Sequence, residues 1–211
     1  MKVHVANHPL ISHKLTVLRD ERTDSPTFRL LVSELVTLLA YEATRDVRTK
    51  TVSIKTPVTE TTGLVMADPR PVVVPILRAG LGMLEGMTKL LPTAQVGFLG
   101  MVRDEETLQA STYANRLPED LSGRQVFVLD PMLATGQSLV AVFEALKKLG
   151  NPKETHIVSV IGAQEGIRFV EKHFPENTHL WIATIDDQLN EKGYIVPGLG
   201  DAGDLAFGSK L

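Results

Sequence analysis

Short runs of apolar residues alternate with segments of helical periodicity between residues 70 and 186. The apolar runs are RPVVVPILRAG (70–80), AQVGFLGMVRDEE (94–106), GRQVFVLD (123–130), THIVSVIGA (155–163) and HLWIATID (179–186). The helical segments are GLGMLEGMTKLLP (80–92), GQSLVAVFEALKKLG (136–150) and QEGIRFVEKHF (164–174). Continuous apolar strands that alternate with helices are typical of a mostly parallel β-sheet flanked by helices. We therefore expect an α/β fold.

Two further elements precede this alternation. Ser25 can cap a helix, Pro26 suits its first position, and apolar residues then recur at helical spacing. The segment TVSIKTPVTETTGLVM alternates and is rich in Thr and Val. This pattern predicts a β-hairpin or arm at about residues 51–66, broken by Pro57 and turned near Gly63.

No internal repeat, low-complexity segment or linker divides the 211 residues. The C-terminal residues 187–211 are Gly-rich and polar, do not continue the alternation, and predict a loop-dominated cap. We expect a single domain over residues 1–211, with a core at about 67–186. A hood, formed by the N-terminal segment and residues 187–211, would cover one end of this core.

The amino-acid composition excludes several classes of function. Hydrophobic residues make up 43% of the chain and charged residues 22%, as is ordinary for a soluble globular protein. Because there is no cysteine, a disulfide scaffold, a thiolate metal site and a cysteine nucleophile are excluded. The formal net charge of -3 argues against a general affinity for nucleic acid. The N-terminus lacks an apolar signal region and no apolar run could span a bilayer, so we expect a cytoplasmic protein with no membrane partner.

Charged residues stand at the ends of the predicted strands, where open parallel sheets bind their ligands. They are Arg78, Arg103, Asp130 and Asp186. An arginine in this position suits the oxygens of a phosphate, which its planar fork binds bidentately. A carboxylate suits vicinal hydroxyls or a metal ion. The structural alternatives are a surface salt bridge for the arginines and a plain strand end for the aspartates.

The turn after Asp130, residues 131–138, has the chemistry of a phosphate cradle. It joins a strand to a helix N-terminus, where backbone N–H groups are unpaired and the helix dipole favours an anion. Small residues let a phosphate approach the backbone, and Thr135 and Ser138 add hydroxyl donors. A carboxylate beside a phosphate cradle suggests a phosphorylated sugar as the ligand. Alternatively, Thr135 or Ser138 only caps the helix.

A glycine pattern at Gly80, Gly82 and Gly86 follows the first apolar run of the sheet. It invites a dinucleotide-binding interpretation. However, the spacing between the last two glycines is one residue too long for that motif, and an arginine precedes the turn. The pattern therefore argues weakly for a dinucleotide site.

Four motifs in order along the chain, PILRAGLGM, VRDEET, LDPMLATGxS and YIVPGLGDAGD, resemble those of the uracil phosphoribosyltransferases. The resemblance covers nearly the whole chain and implies the type I phosphoribosyltransferase fold. It implies that uracil and phosphoribosyl pyrophosphate (PRPP) react to UMP and diphosphate. Pro131 matches the uracil branch, whereas Gln137 stands where that branch usually has a second glycine. A requirement for positive φ there would strain Gln137.

The resemblance also implies the site residues. The catalytic group is Arg78, Arg103 and Asp130. The PRPP-binding residues are Arg78, Arg103, Asp130, Pro131, Met132, Leu133, Ala134, Thr135, Gly136, Gln137, Ser138 and Asp201, and the uracil-binding residues are Ile195, Gly200, Asp201 and Ala202. The cofactor is Mg²⁺ carried by PRPP, with no direct protein ligand, and VRDEET leads into a loop that closes over the site. GTP is an effector in some relatives. The arm at residues 51–66 suits a subunit contact, so we expect a homodimer or higher homo-oligomer.

Uracil presents an acceptor, a donor and an acceptor along one edge. An extended Gly-rich backbone can supply the complementary donor, acceptor and donor, and it rejects cytosine because an amino group would then face an N–H. An ordered C-terminal loop that uses Gly and Pro only for its turns is the structural alternative.

Two other functions stay open. One is a phosphoribosyltransferase for another nucleobase, and the other is a uridine-nucleotide-sensing RNA-binding regulator of the same fold. The acidic net charge argues against the regulator.

Overall fold

A computed structural model of the chain describes residues 1–103 and 110–208, without the side chains of residues 101–103 and 110–112. The helices are α1 (Pro9–Arg19), α2 (Ser25–Ala43), α3 (Leu81–Leu90), α4 (Gln137–Lys147), α5 (Gln164–Glu171) and α6 (Ala202–Phe207). The strands are β1 (Lys2–Val5), β2 (Thr49–Lys55), β3 (Glu60–Met66), β4 (Val72–Leu77), β5 (Gln95–Val96), β6 (Phe98–Arg103), β7 (Ala110–Arg116), β8 (Gln125–Leu129), β9 (Met132–Leu133), β10 (Glu154–Ala163), β11 (Thr178–Asp186), β12 (Gln188–Leu189) and β13 (Ile195–Val196).

The central sheet has the order β1-β11-β10-β8-β4-β6-β7, with β5 beside β4 and β9 beside β10. All of its pairs are parallel except β6 with β7. The expected α/β class with a mostly parallel sheet is confirmed. The run 94–106 forms two strands, since β5 and β6 are separated at Gly97.

Both faces of the sheet are covered by helices, as the unbroken apolar runs require. On one face, Val73 and Phe127 pack with α1, α2 and α3. On the other face, Val72 and Val126 pack with α4 and α5. Adjacent strand residues thus belong to opposite halves of the core, in keeping with the two-residue period of a strand. Among the described helices, none is both long and apolar enough to cross a membrane.

Helix α2 begins one residue earlier than the sequence pattern indicated. Its N-cap is Asp24, whose side chain accepts a 2.9 Å hydrogen bond from the Thr27 N–H. Ser25 therefore does not cap this helix, and the prediction that it does is wrong. Its hydroxyl instead donates to the carbonyl of Leu205, 2.6 Å away in α6. Asp and Ser are both good N-caps, so the local sequence did not distinguish them.

The hairpin of β2 and β3 was predicted with the wrong turn. Gly63 lies inside β3 and pairs with Val52. The chain reverses at residues 56–59, where the Thr56 N–H donates to the carbonyl of Thr59. Pro57 falls in this turn, where its missing N–H costs no ladder bond. The C-terminal cap also contains more structure than expected, namely β12, β13 and α6.

A stacked ladder of histidines crosses β1, β11 and β10. The ring of His4 stacks on Trp181 with 4.0 Å between centroids, and His4 Nε2 lies 3.1 Å from His179 Nδ1. His156 stacks on Phe127 and lies 5.2 Å from the ring of His179. The indole N–H of Trp181 donates to His156 Nδ1 at 3.2 Å. Because an indole N–H can only donate, this bond requires a neutral His156.

Burial, followed by the neighbouring His179, lowers the pKa of His156 from 6.5 to about 4, against the opposing effects of Glu154 and Asp46. Below pH 6.5 the unfolded chain therefore takes up a proton that the folded protein does not bind until about pH 4. The free energy of unfolding is therefore highest above pH 6.5 and decreases as the pH falls from 6.5 to about 4.

We predict that His156→Asn reduces this acid sensitivity. The Asn oxygen can still accept from Trp181, but the group no longer titrates. Between pH 7.5 and 5 the free energy of unfolding should fall by about 2 kcal/mol less in the variant than in the wild type. Urea denaturation at both pH values measures this difference. His173→Asn, which removes an exposed histidine, is the control, and equal pH slopes for all three proteins would contradict the prediction.

Candidate active site

The sheet brings three of the predicted strand-end residues to one edge. Arg78 follows β4, Asp130 follows β8, and Arg103 is the last residue of β6. These strands are adjacent and parallel in the order β8-β4-β6. Their carboxyl ends therefore meet, as expected for a ligand site of a parallel sheet. The side chain of Arg103 lies outside the described residues, as do Asp104, Glu105 and Glu106 of the predicted closing loop.

The turn after β4 is in close contact with the end of β8. A Cβ on Gly80 would lie 2.4 Å from the Leu129 carbonyl oxygen and 2.7 Å from that of Ile76. A Cβ on Gly86 would lie 2.4 Å from the carbonyl oxygen of Ser33 in α2. Packing thus explains two glycines of the pattern that invited a dinucleotide-binding interpretation. Gly80 in particular brings the Arg78 turn against the strand that ends at Asp130.

The turn after β8 is fastened to the neighbouring strand. The carbonyl of Pro131 accepts from the N–H groups of Val160 and Ile161, both at 3.1 Å, and β9 pairs with β10. Gly136 is the N-cap of α4 and contributes no side-chain cap. Gly136 therefore has no side chain to accept from the backbone N–H groups of the first turn of α4, an arrangement that suits an anion.

Gly136 carries the unusual backbone conformation of this turn, with φ of 79°. A Cβ there would also lie 2.5 Å from Val170 Cγ2 and 3.0 Å from the Gly166 carbonyl oxygen of α5. Gln137 is the first residue of α4 and is helical, so the positive φ that would have strained it is not required. The side-chain Oε1 of Gln137 is buried and has no hydrogen-bond partner among the described residues.

The C-terminal loop is held by a partly buried ion pair. Arg19 Nη1 and Nη2 donate to the Asp186 carboxylate at 2.8 and 2.6 Å. Arg19 Nη1 also donates to the Gly198 carbonyl at 3.0 Å, and the Gly198 N–H donates to Asp186 at 2.9 Å. Burial raises the pKa of Asp186, but the bonds from Arg19 and Gly198 outweigh it and lower this pKa below its ordinary value. Asp186 therefore fixes the backbone of the loop.

The predicted uracil-binding residues lie along this loop. Ile195 is buried in β13, and Gly200 has φ of 90°. Asp201 is the N-cap of α6, because its Oδ1 accepts from the Asp204 N–H at 2.9 Å. Ala202 is buried. The tight turn between Ile195 and Gly200 requires Gly198, since a Cβ there would lie 2.0 Å from the carbonyl oxygen of Ile195.

A small apolar crevice marks the place where these segments meet. It is lined by Phe28, Arg29, Val32, Ala79, Gly82, Pro131, Ala202 and Ala206. The lining includes the Arg78 turn, the turn after Asp130, and helix α6 together with α2. The fold thus brings three of the four sequence motifs together. In the part of the chain that the structure describes, no group of three or more carboxylate and imidazole side chains could hold a metal ion.

Three contributors were missed by the sequence reasoning. Arg19 binds Asp186, and Asp204 accepts a 2.9 Å hydrogen bond from Arg78 Nη2. Arg29 Nη1 donates to the Ala206 carbonyl at 2.8 Å. Each pair joins residues more than one hundred positions apart in the sequence, and no local pattern indicates such a pairing. The Asp204 of the GDAGD motif was the one available signal.

Comparison with known proteins agrees with this arrangement. The structure of a hypoxanthine phosphoribosyltransferase from Staphylococcus aureus matches with a TM-score of 0.51 and 13% identity, over 85% of this chain and 84% of that one. The AQ2163 protein from Aquifex aeolicus matches with a TM-score of 0.93 and 39% identity, over 99% of both chains. The fold is that of the type I phosphoribosyltransferases.

The sequence comparisons are more specific. A profile of the family described as uracil phosphoribosyltransferase matches residues 5–209. Curated proteins with that name are similar to the chain over 99% of both lengths, at 65% identity in Beutenbergia cavernae and 64% in Streptomyces avermitilis. The chain belongs to the uracil phosphoribosyltransferase family.

We predict that Arg19→Met loosens the C-terminal loop. The substitution leaves the buried Asp186 carboxylate without its cation, so the free energy of unfolding at pH 7 should fall by about 2 kcal/mol or more. Amide hydrogen exchange at residues 195–200 should accelerate. Arg22→Met is the control, since Arg22 pairs with Asp20 at the surface. Unchanged exchange in the loop would contradict the anchoring role of Arg19.

Proposed function

We propose that the protein catalyses the transfer of the phosphoribosyl group from PRPP to uracil, giving UMP and diphosphate. The observation that carries this proposal is the meeting of the Asp130 turn, the Arg78 turn and the C-terminal loop at one edge of the sheet, in a member of this family. Relatives about 65% identical bear the name uracil phosphoribosyltransferase. These names do not favour a transferase for another base or an RNA-binding regulator.

PRPP would lie across the ends of β4, β6 and β8. We assign its 5-phosphate to the turn of residues 131–138, where the first turn of α4 has no side-chain cap. Asp130, at the start of that turn, would bind the ribose hydroxyls. Arg78, Arg103 and the backbone of residues 79–82 would bind the diphosphate. Charge-assisted bonds from a guanidinium to phosphate oxygens are the strong kind.

Uracil would be recognised through hydrogen bonds to the backbone of Ile195 and of residues 200–202. Recognition by backbone groups requires a fixed loop, and the Asp186 carboxylate with Arg19 supplies that fixation. Asp201 would also face PRPP. Cytosine would leave its amino group opposed to an N–H, and a buried unmet hydrogen bond discriminates strongly between substrates.

The reaction is a displacement at the anomeric carbon C1 of PRPP. The bond from C1 to uracil N1 forms, the bond from C1 to the diphosphate oxygen breaks, and the proton lost from N1 ends on the released diphosphate. The ribose carries positive charge in an oxocarbenium-like transition state. The protein contributes positioning and electrostatic stabilisation of the leaving group rather than a covalent intermediate.

Mg²⁺ would enter as part of the substrate. The hard oxygens of a diphosphate are ligands that this ion prefers, and the bound ion would offset charge on the leaving group. We therefore assign its coordination to PRPP. Closure of the segment that contains VRDEET, which would exclude water from PRPP, stays a prediction.

We also propose a homo-oligomer that buries the hairpin of β2 and β3. Its apolar side chains are exposed, with Val58 92% and Leu64 71% accessible. A two-stranded hairpin is marginally stable unless it packs against something.

Activation by GTP stays a prediction. So does a cytoplasmic location, which suits an enzyme whose substrate PRPP is too highly charged to cross a bilayer unaided.

The first test is a product assay with PRPP, Mg²⁺ and each nucleobase in turn. We expect UMP and diphosphate from uracil and no nucleotide from cytosine or the purines. Chromatography of the products measures this directly. A nucleotide formed from another base but not from uracil would overturn the proposed substrate.

We predict that Asp130→Asn lowers kcat/KM for PRPP at least about tenfold, because the neutral amide binds two hydroxyl donors less well than a carboxylate. The KM for uracil should change less. Glu119→Gln, which neutralises an exposed carboxylate, is the matched control. Wild-type kinetics in Asp130→Asn, with thermal unfolding also unchanged, would remove the ribose-binding role.

We predict that Arg103→Ala weakens the use of PRPP more than the binding of uracil, because it removes a ligand of the diphosphate. Initial rates over a grid of both substrate concentrations separate the two KM values. An increase confined to the KM for uracil would contradict the assignment.

A further inference from the structure

The guanidinium of Arg78 is held by the C-terminal helix. Arg78 Nη2 donates to Asp204 Oδ1 at 2.9 Å, and Nη1 reaches the Gly208 carbonyl at 3.5 Å. The Arg78 and Asp204 side chains are 39% and 37% exposed. The proposed ligand of the diphosphate is therefore linked to helix α6.

Helix α6 begins at the segment that would read uracil. Asp201 caps it by accepting from the Asp204 N–H at 2.9 Å, so Asp201 and Asp204 lie in one hydrogen-bonded turn. Gly203 permits the close approach, because a Cβ there would lie 3.1 Å from Asp201 Oδ1 and 3.6 Å from Arg78 Nη2. Asp204 thus connects residues 200–202 with Arg78.

We propose that Asp204 is a positioning residue that orients Arg78 for the diphosphate and couples the binding of the two substrates. This inference rests on the proposed function, in which Arg78 binds diphosphate and residues 200–202 bind uracil. Diphosphate bound to Arg78 fixes the guanidinium, and the guanidinium fixes α6 through Asp204. The uracil-binding backbone is then already ordered when uracil arrives.

Arg78 can bind Asp204 and a diphosphate together. A guanidinium has five N–H donors, and the contacts seen among the described residues use two of them. Within the described part of the chain, three donors therefore remain for phosphate oxygens. Exposed ion pairs of this kind are weak. Asp204 can therefore orient Arg78 without preventing it from binding diphosphate.

The coupling must be reciprocal. If diphosphate tightens uracil binding by a given factor, uracil tightens diphosphate binding by the same factor. We expect saturating diphosphate to lower the Kd of the wild-type protein for uracil by about fivefold or more, the lower end of typical coupling between sites. Isothermal titration calorimetry with uracil, with and without diphosphate and Mg²⁺, measures this factor.

Two variants separate the hydrogen bond of Asp204 from its charge. In Asp204→Ala both are lost, and we expect the coupling to disappear and the KM for PRPP to rise about fivefold with a smaller change in kcat. In Asp204→Asn the amide oxygen still accepts from Arg78, and we expect most of the coupling to remain. Glu85→Ala, which removes an exposed carboxylate paired with Lys89 on α3, is the control for the change in net charge.

Several results would overturn the inference. If both Asp204 variants lower the KM for PRPP, Asp204 is a competing anion instead of a positioning residue. If Asp204→Ala matches the wild type in both KM values and in the coupling factor, Asp204 has no such role. A test without mutation is hydrogen exchange of the amides at 202–207, which diphosphate should slow in the wild type, and equal exchange rates would contradict the coupling.

The product assay distinguishes this inference from the proposed function. If the wild-type protein forms no UMP from uracil and PRPP, the proposed function fails and the role of Asp204 fails with it. If the wild type forms UMP and the Asp204 variants show none of the expected changes, the inference alone fails.

Discussion

Strands β4 and β8 lie side by side in the middle of the sheet, and their parallel pairing places Pro75 opposite Leu129. Asp130 follows Leu129 directly, and Arg78 lies three residues after Pro75, so the register of one strand pair sets the spacing between a cationic and an anionic group of the site. Slippage by one residue would turn every buried side chain of a strand to the other face of the sheet. Both strands are buried on both faces, and the core therefore protects the geometry of the site.

The loop that would bind the base depends on a different arrangement. A surface that recognises its ligand by backbone groups has no side chains of its own to hold it in place, and ordering it on binding would cost affinity. At Gly198 that order is built into the fold, because Arg19 and Asp186 bind both the N–H and the carbonyl of this residue. In the proposed reaction, a charged pair that touches no substrate would thereby contribute to specificity.

Much of the fold was readable from the sequence because hydrophobic pattern and strand ends are local signals. The ligand roles came from the resemblance of four motifs to a family. Three details were not readable. Asp24 and Ser25 are adjacent and equally good caps, Gly63 resembles a turn residue although it lies inside a strand, and the contact of Arg19 with Asp186 joins residues 167 positions apart. Long-range side-chain pairs arise only when the chain is packed, so the sequence pattern does not encode them locally.

Gly136 is the glycine of the turn after Asp130, and it combines a left-handed backbone conformation with close contact to α5. The next position, Gln137, is ordinary helix and does not need that conformation. Residue 137 is therefore a place where the chemistry beside the proposed phosphate site can vary without cost to the backbone. An engineer who wishes to alter this part of the site should begin with the glutamine, because a substitution there leaves the conformation of Gly136 unchanged.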